Sequence, residues 1–288
     1  MTAIVCAVAS TDGAGNGRGP APRALIVSVY GLYAREAGGW LSVALLIRLL
    51  AELGVDPPAV RSSISRLKRR GILLAERSDG IAGYALSPSA RAILDAGDRR
   101  IFQRQQADPA DGWLLAVFSV PEAERDRRHQ LRSRLSGLGF GTVSAGVWIA
   151  PARLLAETAE VLARHQLTGY VDLFRAEHLA FAELAEQLPH WWDLARLQGM
   201  YGEFLDRHRP RLISYRRRRS VPAGQAFADY LAALTDWRRL PYADPGLAAE
   251  LLPRDWKGIR AAETFFELRE RLAVPAHQHC DELRRSLR

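Results

Sequence analysis

The segment from Pro57 to Arg70 constrains the fold of this chain more than any other, because it carries a helix pattern and an extreme charge pattern together. Asp56 before it is a typical N-cap, and its two leading prolines fit a first turn, where a missing N–H group loses no hydrogen bond. Val60, Ile64 and Leu67 fall on one side of such a helix. The pattern therefore predicts an amphipathic helix whose apolar stripe packs on other helices.

The remaining surface of this helix is basic, with five basic residues and no acidic one between Pro57 and Arg70. Guanidinium groups bond phosphates or the edges of guanine, and small hydroxyl residues let a helix approach closely. This favours insertion into a DNA major groove, with a solvated charged surface as the alternative. The predicted DNA-binding residues of the helix are Arg61, Ser62, Ser65, Arg66, Lys68, Arg69 and Arg70.

The flanking segments place this helix in a recognisable order. Apolar spacing predicts helices over Arg23–Ala37 and Leu41–Leu53 before it. Two short strands are expected after it, at Ile72–Leu74 and Tyr84–Leu86, around a polar turn. Two helices, a basic helix and a hairpin are typical of a winged helix-turn-helix, in which Arg77 near the wing tip contacts the adjacent DNA backbone or minor groove.

The middle of the chain predicts a second fold. The segments from Trp113 to Arg175 have the order βαββαβ, which is that of a ferredoxin-like domain. Such domains pair edge strands or sheet faces, so we expect this one to dimerise. The small CRISPR-adaptation nucleases share the topology and carry a metal-binding aspartate at the end of the first strand. Here that strand ends at Val120 and no carboxylate follows until Glu122, so we expect no metal-dependent nuclease activity.

The C-terminal third reads as helical and offers few candidates for chemistry. Arg216 to Arg219 are four consecutive arginines, which point in different directions on a helix; a solvated stretch and an anion contact by one or two of them both stay open. His277, His279 and Cys280 lack zinc-ligand spacing, and neither a nucleophile elbow nor a phosphate-binding loop follows from the sequence. We therefore predict no catalytic residue, no metal and no cofactor.

The amino-acid composition limits which partners and which compartment we expect for this protein. The net charge of +8 and pI near 10.0 favour an anionic partner. Two distant cysteines give no disulfide framework, which favours a reducing cytoplasm, and the absence of an apolar run of about 18 residues predicts no membrane span. The fold expected is α+β multidomain: a flexible tail (1–22), a winged helix-turn-helix (23–108), a ferredoxin-like domain (109–178) and a helical C-terminal domain (179–288).

Five motifs resemble those of the PaaX-type repressors of phenylacetate catabolism, over about residues 23–287. The motifs are RALIVSVYG from Arg23, AVRSSISRL from Ala59, WLLAVFSVP from Trp113, WRRLPYADP from Trp237 and LLPRDWKG from Leu251. The resemblance implies a homodimer that represses transcription from a palindromic double-stranded DNA operator. It also implies release by an aryl-CoA ester, typically phenylacetyl-CoA.

Such an effector is anionic and has an apolar acyl group, so its site is expected to combine arginines with aromatic rings. The residues that fit this description are Arg216, Arg218, Trp237, Arg238 and Arg239. Trp237 fits a core position equally well. The alternatives of another class are a metal-dependent nuclease and an enzyme that turns over a CoA ester; neither accounts for the basic helix.

Overall fold

The computed structural model describes residues 20–35, 38–103, 106–179, 181 and 183–287. These residues form helices and two antiparallel sheets, so the chain is an α+β multidomain protein. The tail predicted over residues 1–22 lies outside the described residues except for its last three.

The chain packs as two compact units that do not follow chain order. The first unit contains the described residues within 1–102, 203–239 and 259–288, and the second contains those within 103–202 and 240–258. The predicted C-terminal domain is thus distributed over both units. The sequence-based boundaries at residues 108 and 178 stay predictions.

The N-terminal part of the first unit has three helices before a hairpin and one after it. Its elements are α1 (Pro22–Val29), β1 (Trp40–Ser42), α2 (Val43–Ala51), α3 (Pro57–Arg69), β2 (Leu73–Ser78), β3 (Ile81–Leu86) and α4 (Pro88–Phe102). A π-helical turn, Tyr30–Ala34, continues α1, and the Tyr30 hydroxyl donates to the Tyr84 carbonyl at 2.8 Å. This bond joins the first helix to the hairpin.

Two predictions for this region were wrong in detail. The helix expected over Leu41–Leu53 begins only at Val43, because Trp40–Ser42 pairs antiparallel with β3 and Ser42 caps the helix by accepting from Leu45 N at 3.1 Å. The hairpin strands are longer than expected. Asp79 and Gly80 both have positive φ, 51° and 78°, so a two-residue turn of the type that hairpins favour lets the ladder continue to its tip.

The C-terminal part of the first unit consists of helices that pack on α1. In chain order the helices after α4, in both units, are α5 (Arg125–Leu138), α6 (Leu155–Arg164), α7 (Leu184–Trp191), α8 (Leu194–Arg216), α9 (Ala223–Trp237), α10 (Leu240–Ala243) and α11 (Lys257–Ser286). Of these, α5, α6, α7 and α10 belong to the second unit. Thr235 on α9 donates to the buried Ser28 hydroxyl on α1 at 2.8 Å, and Arg284 on α11 donates to the Tyr33 carbonyl at 2.7 Å. The C-terminal helices are therefore part of the same core as α1.

The second unit is built on a four-stranded antiparallel sheet with strand order β5-β6-β4-β7. The strands are β4 (Trp113–Phe118), β5 (Gly141–Ser144), β6 (Val147–Pro151) and β7 (Val171–Ala176). Leu131 and Leu135 of α5 and Leu162 of α6 bury their side chains against one face of this sheet. The predicted order of strands and helices is the observed one.

The segment Leu240–Gly258 completes the second unit. Tyr201 donates its hydroxyl hydrogen to the buried Asp244 carboxylate, which also accepts from Gly246 N at 2.7 Å. Pro245 packs on Gly139, where a Cβ would lie 3.1 Å from the proline Cα and where φ is +94°. The distinctive DP pair of the WRRLPYADP motif thus shapes a turn.

Candidate nucleic-acid interface

Helix α3 is fixed at both ends by the residues that the sequence indicated. The Asp56 carboxylate accepts from Ala59 N at 2.7 Å, which confirms the predicted N-cap. Gly71 follows the helix with φ +68°, and its N–H donates to the Lys68 carbonyl at 2.9 Å. The capping contacts at its two termini therefore fix where α3 begins and ends.

One side of α3 is held in the core. Val60 and Leu67 are 0 % exposed, Ile64 is 3 % exposed and Ser63 is 8 % exposed. Burying an apolar side chain of this size stabilises the folded protein by roughly 1.5–3 kcal/mol relative to leaving it in water. The rotation of the helix about its axis is therefore determined by its own apolar stripe.

The remaining sides of α3, together with Arg70 at its end, form a solvent-exposed basic surface. The structure brings all seven predicted helix residues onto it: Arg61, Ser62, Ser65, Arg66, Lys68, Arg69 and Arg70 are exposed. Within the described ranges, no acidic side chain forms an ion pair with any of these five cations. Their charge is free to act on a partner, which is the electrostatic condition for binding a polyanion.

Arg77 lies apart from this surface, on strand β2 near the hairpin tip. It is exposed, but its guanidinium donates to the Gly80 carbonyl at 2.9 and 3.3 Å. Trp40 donates from Nε1 to the Glu76 carbonyl at 3.2 Å, and its ring lies where a Cβ at Gly83 would stand. Arg77 and Trp40 both stiffen the hairpin. The role of Trp40 was missed because its register with β3 is not a local property of the sequence.

The family follows from matches along almost the whole chain. Residues 21–90 match PaaX-like protein, residues 106–188 match the PaaX protein central Cas2-like domain, and residues 192–282 match the PaaX-like protein C-terminal domain. The chain belongs to the PaaX family of regulators. The basic helix and the hairpin both lie within the first of the three matched PaaX regions.

Two individual proteins extend this result. The chain is 26% identical over 256 residues to the transcriptional repressor PaaX of Escherichia coli (strain K12), covering 88% of this chain and 80% of that protein. It also resembles the solved structure of the uncharacterized protein Rv0674 from Mycobacterium tuberculosis, with a TM-score of 0.58, 22% identity, and coverage of 91% of this chain and 98% of that one. The second likeness bears on the fold alone.

The residues nominated for an aryl-CoA ester have different surroundings. Arg216 is exposed and makes two hydrogen bonds to Glu267, one of them from Nε at 2.8 Å. This contact is the first cause that lowers the pKa of the Glu267 carboxyl, followed by the hydrogen bond from Arg271. Arg218 donates to the Gln225 side chain at 3.2 Å and lies 5.7 Å from the centre of the Tyr215 ring. Both nominated arginines are engaged within the first unit.

Trp237 belongs to the core of the first unit. It is 0 % exposed, stacks on Phe265 with ring centres 4.8 Å apart, and donates from Nε1 to the Ile101 carbonyl at 2.9 Å. Arg238 is 5 % exposed and donates to the Ala24 carbonyl at 3.3 Å. The structure joins these two residues to α4 and α1 and does not bring them together with Arg216.

A buried charged contact between α8 and α9 had no sequence signal. His208 is 0 % exposed, and its Nε2 lies 2.8 Å from the Asp236 carboxylate, which also accepts from Arg207 at 2.6 Å. Burial acts to raise the pKa of Asp236, but the hydrogen bonds from His208 and Arg207 outweigh it and leave that pKa below its ordinary value. The two partners lie 28 residues apart, so no local spacing relates them.

Cys280 and its neighbours were considered as ligands from the sequence. Cys280 is buried as a free thiol, and burial raises its pKa to about 11, while Cys6 lies outside the described residues. His277 packs edge-on against Tyr33 with ring centres 4.7 Å apart. In the described part of the chain, no group of three or more His, Cys, Asp or Glu side chains is placed to hold a metal ion.

None of the described helices has the length and apolar character needed to cross a membrane.

Proposed function

We propose that this protein is a DNA-binding transcriptional repressor of an aromatic-acid catabolic operon of the phenylacetate type, that it acts in the cytoplasm, and that it is not an enzyme. The observation that carries the proposal is the exposed face of α3, where five cations stand with no acidic partner among the described residues. Membership of the PaaX family and the likeness to the E. coli repressor support the same function.

We propose that the N-terminal region is a winged helix-turn-helix and that the four-stranded sheet with its two helices is a ferredoxin-like domain. The first assignment is supported by the order α2, α3, β2, β3, with β1 pairing on β3. The second is supported by the order βαββαβ and by the strand order β5-β6-β4-β7. In this arrangement α3 is the recognition helix and the hairpin is the wing.

The proposed DNA contacts are the exposed residues of α3, together with Arg70 at its end. Serines at positions 62 and 65 permit close approach, and the surrounding arginines supply donors to phosphates and guanine. Arg77 near the tip of the wing is proposed to contact the adjacent DNA backbone or minor groove, and it has a structural role as well. Because its guanidinium already bonds Gly80, we also assign it to the shape of the wing tip.

We propose that the protein binds a palindromic operator as a homodimer through the four-stranded sheet. Part of the sheet face opposite α5 and α6 is open and carries apolar side chains beside Asp172: Phe174 is 52 % exposed and Val117 is 37 % exposed. The other half carries Trp113, which contacts Trp191 and Trp192 with ring centres 6.2 and 6.0 Å apart. A second copy is the partner that a two-fold symmetric operator requires.

We propose that an aryl-CoA ester such as phenylacetyl-CoA releases the repressor from DNA. By linkage, the ester acts only if it binds the arrangement that is incompetent for DNA more tightly than the competent one. Contacts by Arg216, Arg218, Trp237, Arg238 and Arg239 stay a prediction. Of these, Arg239 has a buried Nε without a hydrogen-bond partner in the described ranges, a feature suited to an anionic ligand.

A mobility-shift titration on the promoter region beside the protein's own gene tests the proposal, with and without phenylacetyl-CoA. We expect a salt-sensitive shift that the ester relieves. A shift that ignores the ester would retain the repressor and exclude this effector. Folded protein that gives no shift at low salt would contradict DNA binding, and release of free thiol from the ester would favour an enzyme.

A further inference from the structure

The orientation of α3 assigns each of its exposed side chains a direction. The buried positions Val60, Ser63, Ile64 and Leu67 define the inward direction. An α-helix turns by about 100° per residue, so the angle of every other side chain relative to this stripe follows from its position. The exposed residues then separate into three groups instead of forming one uniform basic surface.

The outer group consists of Ser62, Ser65 and Arg69. At about 100° per residue, these three positions lie within about 30° of the direction opposite the buried stripe. All three are exposed. When the helix enters a groove with its apolar side against the protein, the outer group points at the floor of the groove.

The flanking groups stand on either side of the outer group. Arg61 and Lys68 lie about 70–90° from the outward direction on one side, and Arg66 lies about 70° from it on the other side. Their long side chains therefore point along the walls of a groove. In the DNA major groove the walls are the phosphates of the two strands, whereas the floor presents the base edges.

We propose a division of labour within α3: the outer group reads base edges, and the flanking groups bind the phosphates of the two strands. This assignment rests on the proposed DNA-binding function and adds the origin of sequence specificity to it. The serines are short, so the backbone can come close to the bases and their hydroxyls can bond either donors or acceptors. Arg69 is the long member of the outer group and matches O6 and N7 of a guanine with two parallel hydrogen bonds.

The first test is selection of bound DNA from a pool of random-sequence duplexes, using the full chain and its Arg69→Lys variant. Lysine retains the charge but lacks the planar fork, so the variant isolates base reading from charge. We expect the wild-type protein to enrich a guanine at one position of its site. In the Arg69→Lys variant the preference for guanine should fall by about 5- to 150-fold. The slope of log affinity against log salt should stay unchanged.

The matched test is Lys68→Ala in a flanking group. This variant should bind all duplexes more weakly by a similar factor, retain the selected sequence, and lower the slope of log affinity against log salt by about 0.9 for each bound protomer. Arg254→Ala removes an exposed arginine of the second unit and serves as the control. We expect it to change neither the selected sequence nor the salt slope.

Two results would overturn the division. One is an Arg69→Lys variant, folded by circular dichroism, that selects the same base with the same preference as the wild-type protein. The other is a Lys68→Ala variant that changes the selected base. A different failure, in which the folded wild-type protein enriches no sequence and shows no affinity for duplex DNA at low salt, would overturn the proposed function itself.

Discussion

Two arginine-rich regions of the first unit use the same side chain in opposite ways. On α3 the arginines face solvent with no acidic partner among the described residues. In the C-terminal helices, Arg216 bonds Glu267, Arg207 bonds Asp236, and Arg238 bonds a carbonyl of α1. The difference lies in the acids: α3 contains none, whereas Asp236 of α9 and Glu267 of α11 pair with Arg207 and Arg216. An arginine cluster indicates an anion site only where the fold leaves it unpaired.

The largest expected effect belongs to Trp237, which the sequence nominated for an effector and the structure places in the core. Trp237→Ala should lower the free energy of unfolding by about 3–5 kcal/mol, because it removes a fully buried ring and its contact with Phe265. Trp237→Phe retains a ring and loses the bond to Ile101, so its effect should be smaller. Urea unfolding measures both. A change below about 1 kcal/mol for the alanine variant would contradict the core role.

Paired substitutions in the two regions should affect DNA binding differently. Arg61→Ala with Arg66→Ala should weaken DNA binding by about 2 kcal/mol or more, since both cations are exposed and unpaired within the described chain. Arg216→Ala with Arg218→Ala removes the same charge from residues that are engaged elsewhere. We expect that pair to leave DNA affinity without ester unchanged. Equal losses of DNA affinity by the two double variants in a mobility-shift titration would contradict a special role of α3.

The buried pair of α8 and α9 predicts a pH dependence of stability. Because the pKa of Asp236 is lower in the folded protein, its contribution is fully present above the unfolded pKa of about 3.9 and is lost as pH falls through the folded pKa. Asp236→Asn should lower the free energy of unfolding by roughly 1–3 kcal/mol at pH 7.

The pH dependence of stability shows whether the effect of Asp236→Asn comes from loss of the carboxylate charge. As pH falls below the unfolded pKa of about 3.9 and through the folded pKa, the difference between Asp236→Asn and the wild-type protein should shrink, because the carboxylate of the wild-type protein becomes protonated. Urea unfolding from about pH 2 to pH 7 measures this difference. A gap that stays constant over the whole range would mean that the carboxylate charge contributes nothing.

The smallest expected effect is that of Arg77→Ala on the wing. Loss of the bond to Gly80 should reduce stability by about 0.5–1 kcal/mol, with a modest loss of DNA affinity. The slope of log affinity against log salt separates the two roles of Arg77, because it stays unchanged if Arg77 only shapes the wing tip. A slope lowered by about 1 would instead show that Arg77 contacts a phosphate.

The sequence predicted α3 well because every signal that defines it is local. Asp56, the apolar stripe and Gly71 all lie within the helix or beside it, and each has the expected contact. The order of elements in the second unit was also accessible, since strands and charged helices alternate along the chain.

The rest could not be predicted because it depends on distant partners. Strand β1 has three residues and exists through its register with β3, more than 40 positions away. The Ser28–Thr235 bond spans 207 positions, and the Glu267 partner of Arg216 lies 51 positions away. Without these partners, the C-terminal arginines looked as available as those of α3.

We propose that DNA binding depends on the exposed cations of α3. The most direct test measures affinity for duplex DNA against salt for the wild-type protein and for Arg61→Ala/Arg66→Ala/Lys68→Ala. We predict that the triple variant lowers the slope of log affinity against log salt by about 2–3 for each bound protomer, because each protomer loses three phosphate contacts. A folded triple variant with the wild-type slope would contradict the claim and move the DNA interface to another surface of the protein.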